Sequence, residues 1–307
     1  MALKTALVGI GKIARDQHIP AIEANPEFEL VATASRNADV EGIPAFRNLA
    51  SLLGSISKVD CVSLCTPPAA RHSDARLAVE AGSHVMLEKP PGTTLADVQE
   101  LASLADKSGV TLFASWHSRE AASVRATRDW LQGRTVREVR IDWKEDVRFW
   151  HPGQDWIWQA DGFGVFDPGI NALSILTAIH PRTLVVSEAS LSIPENRDAP
   201  VAAQMLLHDS EGTKVSVELD WLNKGSPKWD IRILADDGEA LLRDGGARLL
   251  VDGEETVSGP DREYQALYER LAGLIASGSS DVDLAPMRIV SDVMAVAHRE
   301  VAPPFAW

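Results

Sequence analysis

At 307 residues the chain is long for one compact core and suits two domains of ordinary size. Hydrophobic residues make up 45% and charged residues 24%, the balance of a packed globular protein, so collagen-like, low-complexity and wholly disordered classes are excluded. A formal net charge of -14, with no block of Lys and Arg, argues against nucleic acid and anionic membrane surfaces as partners.

The N-terminal Met-Ala-Leu-Lys-Thr-Ala-Leu-Val-Gly passes straight into a strand pattern without a small-residue cleavage site, and no apolar run reaches the roughly 20 residues of a membrane span. A cytoplasmic protein is expected. Short β-branched runs then alternate with helical stretches, the pattern of parallel strands joined by crossover helices. Strands are expected at Thr5–Val8, Glu29–Ala34, Cys61–Leu64, His84–Leu87 and Thr111–Ala114. Leu77–Gly82 closes a helix on a left-handed glycine, and Leu95–Ala102 has helical apolar spacing. Residues 1–118 therefore read as a Rossmann-type α/β domain. Cys61 and Cys65 share one strand pattern, about 13 Å apart at about 3.3 Å per residue, so no disulfide joins them. No Cys or His set has zinc-ligand spacing, and no metal is expected.

After Arg119 the rhythm changes to one helix, a polar Trp-rich stretch and alternating segments at Arg137–Trp143, Leu184–Ile193, Val201–His208 and Val215–Trp221. Period-2 alternation predicts a mainly antiparallel open sheet packed on one face. Asp209–Gly212, Asp236–Gly238 and Asp252-Gly253 mark its hairpins. Two helices are predicted near Asp261–Ala276 and Pro286–Arg299. Residues 119–307 thus form the second, α+β domain, with C-terminal helices able to pack back on the first and a sheet face suited to homo-oligomer contact.

Gly9-Ile10-Gly11-Lys12-Ile13-Ala14 follows the first strand and opens a helix, the dinucleotide fingerprint with Ala in the third small position. Gly9 permits the turn, Gly11 lets backbone N–H groups of the Lys12-Ile13 segment near a pyrophosphate, and the helix N-terminus adds its positive dipole end. Where an acidic residue would hold a free ribose 2'-hydroxyl, Ser35-Arg36 stands instead. A hydroxyl and a guanidinium suit a 2'-phosphate, so NADP is expected as the preferred cofactor, with NAD as the second. Lys89 follows a buried strand, at the carboxyl edge where open α/β sheets bind ligands.

The fingerprint, Cys65-Thr66-Pro67-Pro68 with His72, Glu88-Lys89-Pro90, and Asp167-Pro168-Gly169-Ile170-Asn171 together resemble the ordered motifs of the Gfo/Idh/MocA oxidoreductase family. The resemblance spans essentially the whole chain. Within the family it is greatest to bacterial aldose 1-dehydrogenases of the L-arabinose and D-galactose type, in Met86–Pro91, Trp116–Arg119, Trp143–Asp146, Trp150–Gln154 and Gly164–Asn171. It implies cofactor contacts at Cys65, Thr66, Pro67, His72, Glu88 and Lys89, and a catalytic role for Lys89 near the reacting carbons.

In much of the family the position of Asn171 is a His acting as general base, and an amide cannot take a proton. That departure moves the base to Asp167, with Lys89 completing a relay and Asn171 orienting sugar hydroxyls; a helix-capping role for Asp167 is the structural alternative. Eight of the nine Trp lie between Trp116 and Trp229. Because sugars bind aromatic faces plus fixed polar groups, Trp150, Trp229, His117, Glu145 and His151 are the substrate-binding candidates. The implied reaction oxidises C1 of an aldopyranose to the aldonolactone by hydride transfer, with L-arabinose, D-galactose and D-fucose left open. The alternatives are another sugar or inositol oxidoreductase of the family, or a non-catalytic NADP-binding sensor.

Overall fold

Six parallel strands run in the order β3-β2-β1-β4-β5-β6, the doubly wound order that reverses beside the first strand. They are β1 (Leu3–Val8), β2 (Phe28–Ala34), β3 (Ala45–Phe46), β4 (Cys61–Leu64), β5 (His84–Glu88) and β6 (Leu112–Ser115); five lie within a residue or two of the expected bounds, and the two-residue edge strand β3 was not expected. Every residue of β4 and β6 is buried, as helices covering both faces of a parallel sheet require. The helices start and stop on local chemistry. Thr94 accepts the Asp97 N–H at the head of Leu95–Ser108, and Gly109, at φ 65°, ends it.

The computed structural model describes residues Met1–Trp307 and forms two units, Met1–His117 with Glu263–Asp283, and Ser118–Arg262 with Leu284–Trp307. The helix Glu263–Ser277 is thus part of the first unit. Its Tyr264, Leu267, Tyr268 and Leu271, at helical spacing, are buried against Ile22, Phe28, Cys61, Met86 and Phe113. Each such Leu contributes about 1.5–3 kcal/mol by leaving water.

The second unit is built on a nine-stranded sheet: β7 (Val136–Lys144), β8 (Val185–Pro194), β9 (Ala202–His208), β10 (Lys214–Asp220), β11 (Lys228–Ala235), β12 (Glu239–Arg243), β13 (Arg248–Val251), β14 (Glu254–Ser258) and β15 (His298–Ala302). Their order is β14-β13-β12-β11-β7-β10-β9-β8-β15. The three expected turns join antiparallel neighbours, while β7 with β10 and β8 with β15 pair in parallel. Strict alternation of burial along β10 shows why one face binds the helices Phe166–Ile179 and Ala285–Val296.

One expected element is corrected. The helix predicted to run to Arg299 stops at Val296, Ala297 turns extended, and the next five residues become β15. Pro303-Pro304 directly after this segment disfavour a continuing helix, and parallel pairing with β8 satisfies the backbone instead. No helix is long and apolar enough to cross a membrane.

Candidate active site

At the carboxyl end of β1, Gly9 takes φ 88° and its N–H donates to the Ala34 carbonyl at 2.8 Å. A Cβ there would stand 2.9 Å from the Thr66 nitrogen, so only glycine lets this turn lie against the end of β4. At Gly11, by contrast, no atom lies within 4 Å of where a Cβ would point, leaving open space over the backbone. Ala14 is fully buried and packs the following helical segment against Leu7. Pro20 cannot donate the N–H that would close an α turn on Asp16, and Ala14–His18 ahead of it widens into a π turn.

Thr66 Oγ1 is buried and makes no hydrogen bond within the protein. With the open backbone at Gly11, this orphaned hydroxyl fits a bound dinucleotide that supplies its partner. Gly9, Gly11, Lys12 and Ile13 follow β1, Ser35 and Arg36 follow β2, and Cys65, Thr66 and Pro67 follow β4, so these candidates share one sheet edge. Arg36 is exposed, Lys12 pairs with Asp16, and Arg15 donates to the Asp39 carbonyl at 2.8 Å beyond β2. His72 is differently engaged. It lies on the helix Pro68–Glu80, with Nε2 3.0 Å from Glu100 Oε2 on the neighbouring helix.

Glu88 ends β5, and its side chain is buried. Its Oε1 accepts from Tyr264 Oη at 2.8 Å and from His18 Nε2 at 3.0 Å, while Oε2 accepts the Lys89 backbone N–H at 3.1 Å. His18 Nδ1 lies 2.9 Å from Tyr268 Oη, which is also 3.0 Å from Ser63 Oγ. Buried Arg71 donates to the Glu88 carbonyl at 2.6 Å and also to the Pro90 carbonyl. Burial alone would raise the Glu88 carboxyl, but the His18 hydrogen bond and nearby cations hold it down to about 2. Burial likewise opposes a charged His18, yet Cys65, Tyr268 and Glu88 outweigh it and raise this imidazole well above its ordinary value. His117 stacks on Tyr264 at 5.5 Å, and its Nδ1 is 2.5 Å from Glu263 Oε2.

In the second unit the helix Phe166–Ile179 presents Asp167, buried, and Asn171, half-buried, one turn apart on one face. The cap position is Val165, which makes no side-chain cap hydrogen bond, so the helix start does not depend on a carboxylate cap. A Cβ on Gly169 would lie 2.5 Å from Leu219 on β10, and this close approach seats the helix on the sheet. His151 Nε2 stands 3.5 Å from Asp167 Oδ2, and its ring meets Trp221 edge-on at 5.3 Å.

Glu145 is buried just past β7 and accepts two indole N–H groups, from Trp221 at 3.1 Å and Trp229 at 2.9 Å. Trp150 and Trp229 lie 5.2 Å apart, tilted. The second unit therefore gathers Glu145, Trp150, His151, Asp167, Asn171 and Trp229, with Trp221 touching both Glu145 and His151. The sequence assigned no role to Trp221, His18, Arg71, Tyr264 or Tyr268, whose partners lie elsewhere in the chain.

A doubly wound sheet with a glycine turn at its switch point, an orphaned hydroxyl beside it and a clamped Lys at the next strand end define a dinucleotide-binding oxidoreductase. The comparisons agree. Residues 3–115 match the profile described as the Gfo/Idh/MocA oxidoreductase family, NAD-binding Rossmann fold. A galactose 1-dehydrogenase of Pseudomonas fluorescens is 42% identical over 97% of this chain and 96% of its own. The crystal structure of a D-galactose-1-dehydrogenase from Rhizobium etli superposes with a TM-score of 0.96, at 49% identity, over 99% of this chain and 98% of its own. A 3-ketoreductase from Actinomadura kijaniata, in complex with NADP and TDP-benzene, shares the fold at a TM-score of 0.87 and 20% identity, over 99% of this chain and 100% of its own. The chain belongs to the Gfo/Idh/MocA oxidoreductase family, and its cofactor is a nicotinamide dinucleotide.

Proposed function

We propose that the protein is an aldose 1-dehydrogenase that prefers NADP and oxidises C1 of an aldopyranose of the D-galactose, L-arabinose or D-fucose type to the aldonolactone. The observation that carries this reading is identity above 40% with galactose 1-dehydrogenases along nearly the full chain, so both units are matched. The nicotinamide, when bound, supplies the hydride acceptor. The residues of this chain do the rest.

Ser35 and Arg36 hold the ribose 2'-phosphate, and the backbone after Gly9 and Gly11 faces the pyrophosphate. Lys89 donates to the substrate O1 and lowers the cost of removing its proton. Asp167 accepts that proton, with His151 beside it and Asn171 orienting neighbouring hydroxyls. Trp150 and Trp229 cover the C–H faces of the sugar. C1 is the favoured donor because the ring oxygen stabilises the positive charge that develops there.

A panel of aldoses with NADP and NAD tests the reading by the absorbance of the reduced cofactor. Turnover is expected with the galactose-configured sugars, fastest with NADP. Tight NADPH binding without turnover on any aldose would replace the enzyme with a sensor.

A further inference from the structure

We propose that Tyr264 is a positioning residue for Lys89, acting through Glu88, with His18 and Tyr268 completing the support; this rests on the reading of Lys89 as the catalytic ammonium. The helix Glu263–Ser277 belongs to the nucleotide-binding unit although more than 140 residues separate it from β6, and it carries the only two tyrosines of the chain. Both are fully buried, and both hydroxyls point at the residues behind Lys89. If these side chains served packing alone, Phe would fill the same space with no hydroxyl to satisfy. The hydroxyls instead complete a polar chain.

That chain ends on the backbone of Lys89. Tyr264 and His18 fix one oxygen of Glu88, which leaves the other to accept the Lys89 N–H. Arg71 bonds the carbonyls on either side, at Glu88 and Pro90. Three consecutive residues are therefore tied at three backbone atoms, and the direction in which the Lys89 side chain leaves the sheet follows from them. Burying an imidazolium and a carboxylate carries a desolvation cost for each ion, and apolar replacements of the same volume are often neutral or stabilising. An ion pair kept immediately before the proposed catalytic residue is better explained by placement than by stability.

The test is Tyr264→Phe in the full-length protein, which removes one oxygen and keeps the ring stacked under His117. With NADP and D-galactose, kcat is expected to fall roughly 10-fold, the effect of losing one hydrogen bond to a charged group, while both KM values move less than about 2-fold. In cofactor-free protein, amide exchange of a peptide covering Glu88 and Lys89 should speed up, and that of a peptide within β10 should not. In a Lys89→Ala background the same substitution should cost nothing further, because its effect passes through the missing ammonium.

Lys89→Ala with full turnover would sink the assignment of Lys89 itself. An inactive Lys89→Ala beside a Tyr264→Phe variant with wild-type kcat and exchange would overturn the positioning role alone. So would a Tyr264→Phe loss that adds to Lys89→Ala, which marks a general structural defect. Should Tyr264→Phe not fold, Tyr268→Phe removes the next hydroxyl and must show the same pattern at smaller size; wild-type behaviour there would equally overturn the proposal.

Discussion

The two units hold their functional side chains by opposite means. Around Lys89 the support is polar and aimed at backbone: a buried ion pair, two phenols and a guanidinium. In the second unit it is aromatic, with Glu145 bonded to two indoles, a third indole, Trp150, tilted against one of them, and His151 beside Asp167 edge-on to Trp221. Charge-assisted hydrogen bonds set direction closely and serve a group whose task is chemistry. Large rings with one polar edge give area and orientation together, which serves recognition of a sugar. Perturbing the first region should change turnover, and perturbing the second should change affinity.

The sharpest break would come from the ammonium itself. Lys89→Ala is expected to lower kcat by about 10²–10⁴-fold, with cofactor affinity and melting temperature close to wild type. Rapid-mixing kinetics and cofactor titration measure the two separately, and a loss confined to KM would erase the contrast between the regions. Next in size is Glu145→Gln. The amide presents an NH2 toward one of the two indole donors, so Trp221 or Trp229 loses its acceptor. The sugar KM should rise roughly 10-fold, the value of about one buried hydrogen bond near 1.4 kcal/mol, with kcat little changed. A fall in kcat at constant KM would show that the aromatic region also sets chemistry. Arg36→Ala should follow, reducing the preference for NADP over NAD several-fold through KM alone, as loss of one exposed charge-assisted contact implies.

The parts of this architecture that were readable in advance were the local ones. The glycine turn, the strand run Cys61–Leu64 and the Glu88-Lys89-Pro90 segment each carry their signal within a few neighbouring residues. The support behind Lys89 does not. His18 meets Glu88 across 70 positions and Tyr264 meets it across 176, and nothing near either residue announces the partner. β15 was hidden for a different reason: its first four residues are exposed, so the alternation that betrays β10 is missing. In the second unit, the Trp-rich stretch pointed to sugar-binding chemistry, but which indoles face Glu145 depended on the pairing of β7 with β10 and β11.

The smallest expected effect compares two buried histidine–carboxylate pairs, one in each unit. His18 with Glu88 has its imidazole raised, whereas His180 with Asp209, 3.1 Å apart, has its imidazole lowered because burial, with Arg182 nearby, outweighs the Asp209 carboxylate. The signs follow from linkage. A raised His18 contributes stability that is complete below the ordinary 6.5 and fades as pH climbs through its folded value. A lowered His180 does the reverse: below 6.5 the unfolded chain takes up a proton that the folded one refuses, so stability falls as pH falls. Both carboxylates are held down to about 2, so their own losses appear only in stronger acid, below their ordinary values of 4.5 for Glu88 and 3.8 for Asp209. Amide exchange at mildly alkaline pH should therefore loosen β5 and the helix Glu263–Ser277, while mildly acidic pH should loosen the Asp209–Thr213 turn. His18→Gln should abolish only the first trend and His180→Gln only the second. If both regions softened in the same direction, the charge states assigned to the two imidazoles would be wrong.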